Sequence, residues 1–319
     1  FMIMHSKNEW ENLGSQISFK NKAFINGEFV NSISEETFDC LNPSNGKTLS
    51  KIASCNEDDV DLAVKSGRNV FEKGHWSKMS PTDRKKVLIK LSDLILENHE
   101  ELALLDSMDM GKTVADAATY DIPGASDLLR WNAEAVDKVM DEIAPTERNN
   151  LAMIRRVPLG VIGAVVPWNY PLDMAMWKCA PALAAGNSVI LKPAEQSPLS
   201  ALRFAELAVE AGLPEGVLNV ITGYGETAGK AIGMHNDIDC VSFTGSTEVG
   251  KYFFEYSAKS NMKLVWTECG GKSPNIIFDN SKKLEIAAQL TANGGFFNQG
   301  EVCSANSRVL IQESIIDEF

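Results

Sequence analysis

Histidine is scarce in this chain, with four among 319 residues and no two of them close together. There is no H-E-x-x-H motif. The six cysteines (Cys40, Cys55, Cys179, Cys240, Cys269 and Cys303) form no C-x-x-C, so no protein metal site is expected. Scattered cysteines in a chain of this size predict reduced thiols and a cytoplasmic setting rather than a disulfide framework. Long apolar runs are missing as well. The longest, Val157 to Trp168, is interrupted by Pro158, Gly160, Gly163 and Pro167, far short of the ~18 residues of a membrane span. The N-terminal residues hold no apolar h-region, and no secretory signal is expected. Basic residues are outnumbered, 30 Lys and Arg against 43 Asp and Glu, a net charge of −13. Such a chain repels phosphate backbones and acidic membranes at long range, which argues against nucleic-acid and membrane partners.

What is present is globular: 44% hydrophobic and 23% charged residues. At about 150 residues per domain, this length predicts two domains. Residues 58–142 read as mostly helical, with Val87, Leu88, Leu91, Leu94 and Ile95 at 3-and-4 spacing. Ser80-Pro81 supplies an N-cap and first helical residue, and Gly111 a stop. From residue 155 short apolar runs take over: Val161–Trp168, Ser188–Leu191, Val217–Ile221, Cys240–Phe243, Leu264–Trp266 and Asn275–Phe278. Amphipathic stretches at 171–185, 198–211, 225–235 and 247–260 separate them. Strands apolar on both faces, alternating with helices, predict an α/β fold with a parallel sheet.

Ligands of such sheets sit at the carboxyl ends of the strands, so the polar chemistry is sought there. Gly223-Tyr224-Gly225-Glu226-Thr227-Ala228-Gly229 is one residue longer than a dinucleotide fingerprint, and by itself is equally a tight turn. Thr244-Gly245-Ser246 either caps the next helix or binds phosphate oxygens. Lys192 and Glu195 form either a solvated ion pair or a grip on ribose hydroxyls. In the second case the carboxylate disfavours a 2′-phosphate, hence NAD over NADP. Cys303, behind Gly300 and polar neighbours, is either an inert core thiol or an accessible nucleophile. Glu268, ending an apolar strand before two glycines, is a solvated terminus or a general base. Asn169 carries an amide able to donate to an oxyanion.

Taken in order, Pro167-Trp168-Asn169, Lys192-Pro193-Ala194-Glu195, Phe243-Thr244-Gly245-Ser246-Thr247-Glu248-Val249-Gly250, Glu268-Cys269-Gly270-Gly271-Lys272-Ser273-Pro274 and Gln299-Gly300-Glu301-Val302-Cys303 resemble the NAD(P)-dependent aldehyde dehydrogenases. The resemblance runs from Phe24 nearly to the end of the chain. Within that family, Asp121-Ile122-Pro123-Gly124-Ala125, Leu151-Ala152-Met153-Ile154 and Ser260-Asn261-Met262-Lys263 look most like dehydrogenases of γ-glutamyl-γ-aminobutyraldehyde, which act in putrescine (polyamine) breakdown. Betaine-aldehyde and other aminoaldehyde enzymes come next.

The resemblance implies a dinucleotide-binding domain over 1–145 and 161–269, a bridging or oligomerisation segment at 146–160, and the first part of an α/β catalytic domain over 270–319. It implies oxidation of an aldehyde, in particular an aminoaldehyde, to the acid by NAD, with NADP possible. Cys303 is the implied nucleophile, Asn169 the oxyanion donor and Glu268 the base that activates water. Trp168, Lys192, Glu195, Gly225, Gly229, Gly245, Ser246, Val249 and Cys269 are the implied cofactor contacts. Tyr170, Asp173, Met174 and Trp177 are the expected substrate-facing group, because 173, 174 and 177 share one face of a helix starting at Pro171. A homo-oligomer, dimer or tetramer, is also implied.

Thr267, Glu301 and Asn306 depart from the usual residues, and the family's later nicotinamide-holding glutamate and phenylalanine lie beyond Phe319. Two alternatives therefore stand beside the dehydrogenase: an inactive fragment with partial cofactor-binding capacity, and a cofactor-free thiol hydrolase. The hydrolase leaves four strand-end motifs unexplained and lacks a catalytic histidine.

Overall fold

The computed structural model describes residues 5–319. Its helices are α1 (Lys7–Ser15), α2 (Glu57–Lys73), α3 (Pro81–Glu97), α4 (His99–Met110), α5 (Val114–Asp116), α6 (Ile122–Ala135), α7 (Pro171–Ala184), α8 (Leu199–Ala211), α9 (Lys230–Met234), α10 (Thr247–Lys259) and α11 (Leu284–Phe296). The strands are β1 (Ala23–Ile25), β2 (Glu28–Val30), β3 (Thr37–Leu41), β4 (Thr48–Ala53), β5 (Glu142–Ala144), β6 (Ala152–Ile154), β7 (Val161–Val165), β8 (Ser188–Lys192), β9 (Leu218–Val220), β10 (Cys240–Gly245), β11 (Leu264–Cys269), β12 (Pro274–Ile277) and β13 (Arg308–Ile311). Short π-helical turns at Ala117–Asp121 and Gly225–Gly229 lead into α6 and α9.

Seven strands make the main sheet, in the order β11-β10-β7-β8-β9-β1-β2. The five from β7 to β11 are parallel, as the α/β pattern predicts. Counted along the chain they stand 3-2-1-4-5, so the direction of winding reverses between β7 and β10. A crevice opens at such a reversal, because the connections on its two sides leave toward opposite faces. The β1–β2 hairpin adds an antiparallel edge that the apolar runs did not announce.

Alternation along the central strands feeds two cores. Val189 and Leu191 of β8 pack with α3, α4, α6, α7 and α8, while Ile190 joins Val161, Val165, Val241 and Phe243 against α2, α9 and α10. Burial on both faces explains the unbroken apolar character of β7 and β8. The outermost β11 departs from the expected double-sided burial. Val265 and Cys269 pack inward on the core that α10 covers, while Leu264, Trp266 and Glu268 share the opposite, exposed face.

Local signals account for most helix ends. Asn56 and Asp59 form a capping box on α2, Ser80 accepts from the Asp83 N–H at the start of α3, and Ser246 does the same for Val249 on α10. Gly111 terminates α4 in the left-handed conformation, φ 94°. The helix expected to run from Pro81 to Gly111 is nevertheless broken at Asn98, which ends α3 and starts α4. The run at Asn275–Phe278 also does not join the main sheet. As β12 it pairs with β13 in a separate two-stranded parallel ladder.

Candidate active site

At the winding reversal, the chain leaving β7 runs through Pro167–Tyr170 into α7, which starts on Pro171 without a side-chain cap. Tertiary bonds hold this turn instead. The Ser197 hydroxyl donates to the Trp168 carbonyl at 3.2 Å, and the Asn298 amide donates to the Asn169 carbonyl at 3.1 Å. In return the Asn169 amide donates to the Glu301 carbonyl at 2.8 Å, and Asn298 reaches the same carbonyl at 3.2 Å. Asn298 is buried and, like Gln299, adopts a left-handed backbone conformation in the turn ahead of Cys303. Asn169 and the segment bearing Cys303 are thus brought together by a closed set of amide bonds.

All six cysteines are free. Burial pushes Cys40, Cys55 and Cys179 up to about 12 and Cys240 to about 11, which keeps them as inert thiols near neutrality. Cys269 is half-buried, 4.0 Å from the Ser246 carbonyl, and Cys303 alone is exposed. Glu268 lies exposed on β11, paired in register with Thr244, with no hydrogen bond to Asn169 or Cys303. Its charge is felt instead by Lys178 of α7, a buried lysine that desolvation pushes down and Glu268 supports.

The strand-end residues on the cofactor side form a row. Lys192 is buried, donating to the Pro193 carbonyl at 2.9 Å and lying 3.5 Å from the half-buried Glu195 carboxylate. The pair is therefore not the solvated one of an open surface. A Cβ at Gly225 would meet nothing within 4 Å, leaving open space at the start of helical segment 225–234, and Gly229 would make only ordinary contact with Lys192. Gly245 differs: a Cβ there would stand 2.5 Å from the Phe243 ring, so packing alone demands glycine. Ser246 and Val249 are exposed on the first turn of α10, and the buried Thr244 hydroxyl beside them has no partner. An exposed helix start, an orphaned hydroxyl and a lysine–glutamate pair at adjacent strand ends fit a dinucleotide. Among the described residues no group of three or more His, Cys, Asp or Glu is arranged to hold a metal ion.

Along α7, Asp173 and Met174 are half-buried and Trp177 is exposed. Burial raises Asp173 to about 6, with Asp121 adding to the rise and Lys112 and Trp177 opposing it. Tyr170 already carries a cation on its ring: the Lys112 ammonium lies 4.1 Å from the centroid. Lys112, Lys178 and Asn298 escape a reading of the sequence, and Asp121, the ion-pair partner of Lys112, entered it only as part of the 121–125 motif. Asn298 had a signal, since it directly precedes the motif ending at Cys303. A lone lysine after a helix stop offers none.

A doubly wound, dinucleotide-type α/β sheet, with the segment of an exposed cysteine bonded to an amide at a strand end, defines the class of protein. Residues 29–319 match the aldehyde dehydrogenase family, and the chain belongs to it. It is 52% identical over 318 residues to the NADP/NAD-dependent aldehyde dehydrogenase PuuC of Escherichia coli, covering all of this chain and 64% of that protein. It is 44% identical over 310 residues to aminoacetaldehyde dehydrogenase of Pseudomonas aeruginosa, covering 97% of this chain and 62% of that one. Among solved structures, P. syringae AldA indole-3-acetaldehyde dehydrogenase with NAD+ superposes with a TM-score of 0.98 at 49% identity, covering 99% of this chain and 64% of that one. The chain thus spans under two thirds of the length of these relatives. Among the described residues no helix is long and apolar enough to cross a membrane.

Proposed function

We propose that the complete protein oxidises an aldehyde, in particular an aminoaldehyde, to its carboxylic acid with NAD(P)+ through a thioester on Cys303. The observation that carries this reading is the Asn169–Glu301 bond, which sets an amide two residues from the one exposed thiol in the crevice of the sheet. The Cys303 thiolate adds to the aldehyde carbon, and the carbonyl electrons move onto oxygen. Asn169 spends one N–H on Glu301 and has the second to donate to that oxyanion. When bound at the strand ends, a nicotinamide dinucleotide would supply the hydride acceptor for collapse of that oxyanion. Glu268 takes a proton from water, which displaces the thiol from the acyl carbon and yields the acid. That last role requires the glutamate to reach the thioester from its exposed place on β11.

Lys192, Glu195, Gly225, Gly229, Gly245, Ser246, Val249, Cys269 and Trp168 would hold the dinucleotide. Tyr170, Asp173, Met174 and Trp177 would face the substrate, with Asp173 supplying charge for an amine. The names of the PuuC and aminoacetaldehyde relatives support that substrate class. The exposed β5–β6 hairpin, with Ile143, Leu151 and Met153 outward, supports a homo-oligomer. The reduced thiols suit a cytoplasmic enzyme.

The test is Cys303→Ala in the complete enzyme. Aldehyde oxidation should vanish while NAD+ affinity stays nearly unchanged. Comparable turnover by the variant sinks the assignment.

A further inference from the structure

The Lys112 side chain is wholly enclosed just after α4 and ion-paired with Asp121 from the turn before α6. An ammonium is costly to bury, and a single carboxylate satisfies only part of its donor capacity. The rest is directed to the face of Tyr170, 4.1 Å away. Desolvation places that cation–π contact at the strong end of its range.

Tyr170 directly follows Asn169 and precedes Pro171. Its backbone is non-helical (φ −138°, ψ 73°), and α7 has no side-chain cap to fix it. The turn that presents Asn169 therefore depends on what touches it from outside. The preceding residue, Gly111, touches the opposite wall: its carbonyl accepts from the Gln299 amide at 3.0 Å. Tyr120, next to Asp121, packs edge-on against Phe297 at 5.8 Å in the same turn. Segment 111–121 thus spans the two walls, Asn169 on one and Cys303 on the other.

We propose that Lys112 is a positioning residue for the reaction, its ammonium clamped between Asp121 and the Tyr170 ring so that Asn169 is held in line with Cys303. This inference rests on the reading of Asn169 and Cys303 given above. It predicts that Lys112 governs the rate of the chemical step, with little influence on cofactor affinity or on the thiol itself.

The experiment is the double substitution Lys112→Met with Asp121→Asn in the complete enzyme, which removes the clamp without leaving a buried carboxylate unpaired. The expected result is a folded protein whose kcat falls roughly tenfold or more, with KM for a neutral aldehyde within about threefold. NAD+ affinity and the alkylation rate of Cys303 by iodoacetamide should stay within about twofold of the parent's. A kcat retained within twofold overturns the proposal. So does a parallel loss of kcat, KM, NAD+ affinity and melting temperature, which would make Lys112 an element of folding only. If the double variant does not fold, Lys112→Gln with Asp121→Asn removes both charges, keeps polar side chains of similar length and leaves the Tyr170 ring in place. The same isolated loss of kcat supports the clamp, and an unchanged kcat overturns it. Asn169→Ala and Cys303→Ala in the same assay separate the two levels. Turnover retained by either defeats the underlying reading, whereas turnover lost in both but kept without the clamp defeats only the role of Lys112.

Discussion

The side-chain amide of Asn169 donates at 2.8 Å to the backbone carbonyl of Glu301, 132 positions on, which makes a residue in the turn after β7 the direct support of the segment bearing Cys303. The bond also settles which end of the amide faces the thiol's loop. A carboxylate in its place offers no donor and repels the Glu301 carbonyl. Asn169→Asp should therefore lower kcat by roughly 10²–10³, about 2.7–4 kcal/mol, with NAD+ affinity unchanged. Pre-steady-state measurement of NADH formation checks it; an unaltered burst rate would remove Asn169 from the oxyanion site.

Glu195 lies 3.5 Å from the buried Lys192, half-open to the strand-end crevice. A carboxylate there repels a 2′-phosphate and can accept from a ribose hydroxyl. Glu195→Gln should narrow the ratio of kcat/KM between NAD+ and NADP+. An unchanged ratio would place cofactor discrimination elsewhere.

Asp173 occupies the third position of α7, where an acid can serve the helix dipole alone. Half-burial beside Asp121 also suits a receptor for a protonated amine. Asp173→Leu should reduce kcat/KM for an aminoaldehyde by roughly tenfold, about 1.4 kcal/mol, and spare a neutral aldehyde of equal length. Because the carboxyl is raised to about 6, the preference for the amine should fade as pH falls through that value. Equal losses on both substrates, at every pH, would leave only the dipole role.

Asp106 and Asp109 sit one turn apart on α4, both buried, and both Asp106 oxygens lack a partner. Burial raises Asp106 to about 7, with Asp121 adding and Lys112 opposing; Asp109 is also pushed well up, by burial and then by Asp106. The unfolded carboxyl ionises near the ordinary aspartate value of 3.8, so between about 4 and 7 the folded state holds the extra proton. Stability from this group is therefore full below the unfolded value and lost as pH rises toward 7. Asp106→Asn should stabilise the protein at pH 8 by about 1–4 kcal/mol and have no such effect at pH 4. Chemical denaturation at the two pH values reads the difference, and equal effects at both would show that Asp106 ionises normally.

Much of the fold was open to sequence reasoning because its causes are local or periodic. The Ser80 and Ser246 caps, the left-handed stop at Gly111 and the double-sided apolar runs of β7 and β8 each depend on residues within a few positions. So did the placing of Asn169, Lys192, Gly225 and Ser246 at strand ends, because a parallel sheet collects its carboxyl ends along one edge. Strand partners could not be read this way. The β1–β2 edge, and the pairing of β12 with β13 rather than with β11, depend on which ladder is free to extend, a choice made between distant segments. The helix break at Asn98 lies in the same class: its side chain donates to the Leu94 carbonyl and accepts from Arg203, 105 residues later. The electrostatics of the site were the least legible part. A lysine after a helix stop looks like any solvated lysine until Asp121 and Tyr170 close around it, because desolvation and charge pairing are properties of the packed interior and not of the chain order.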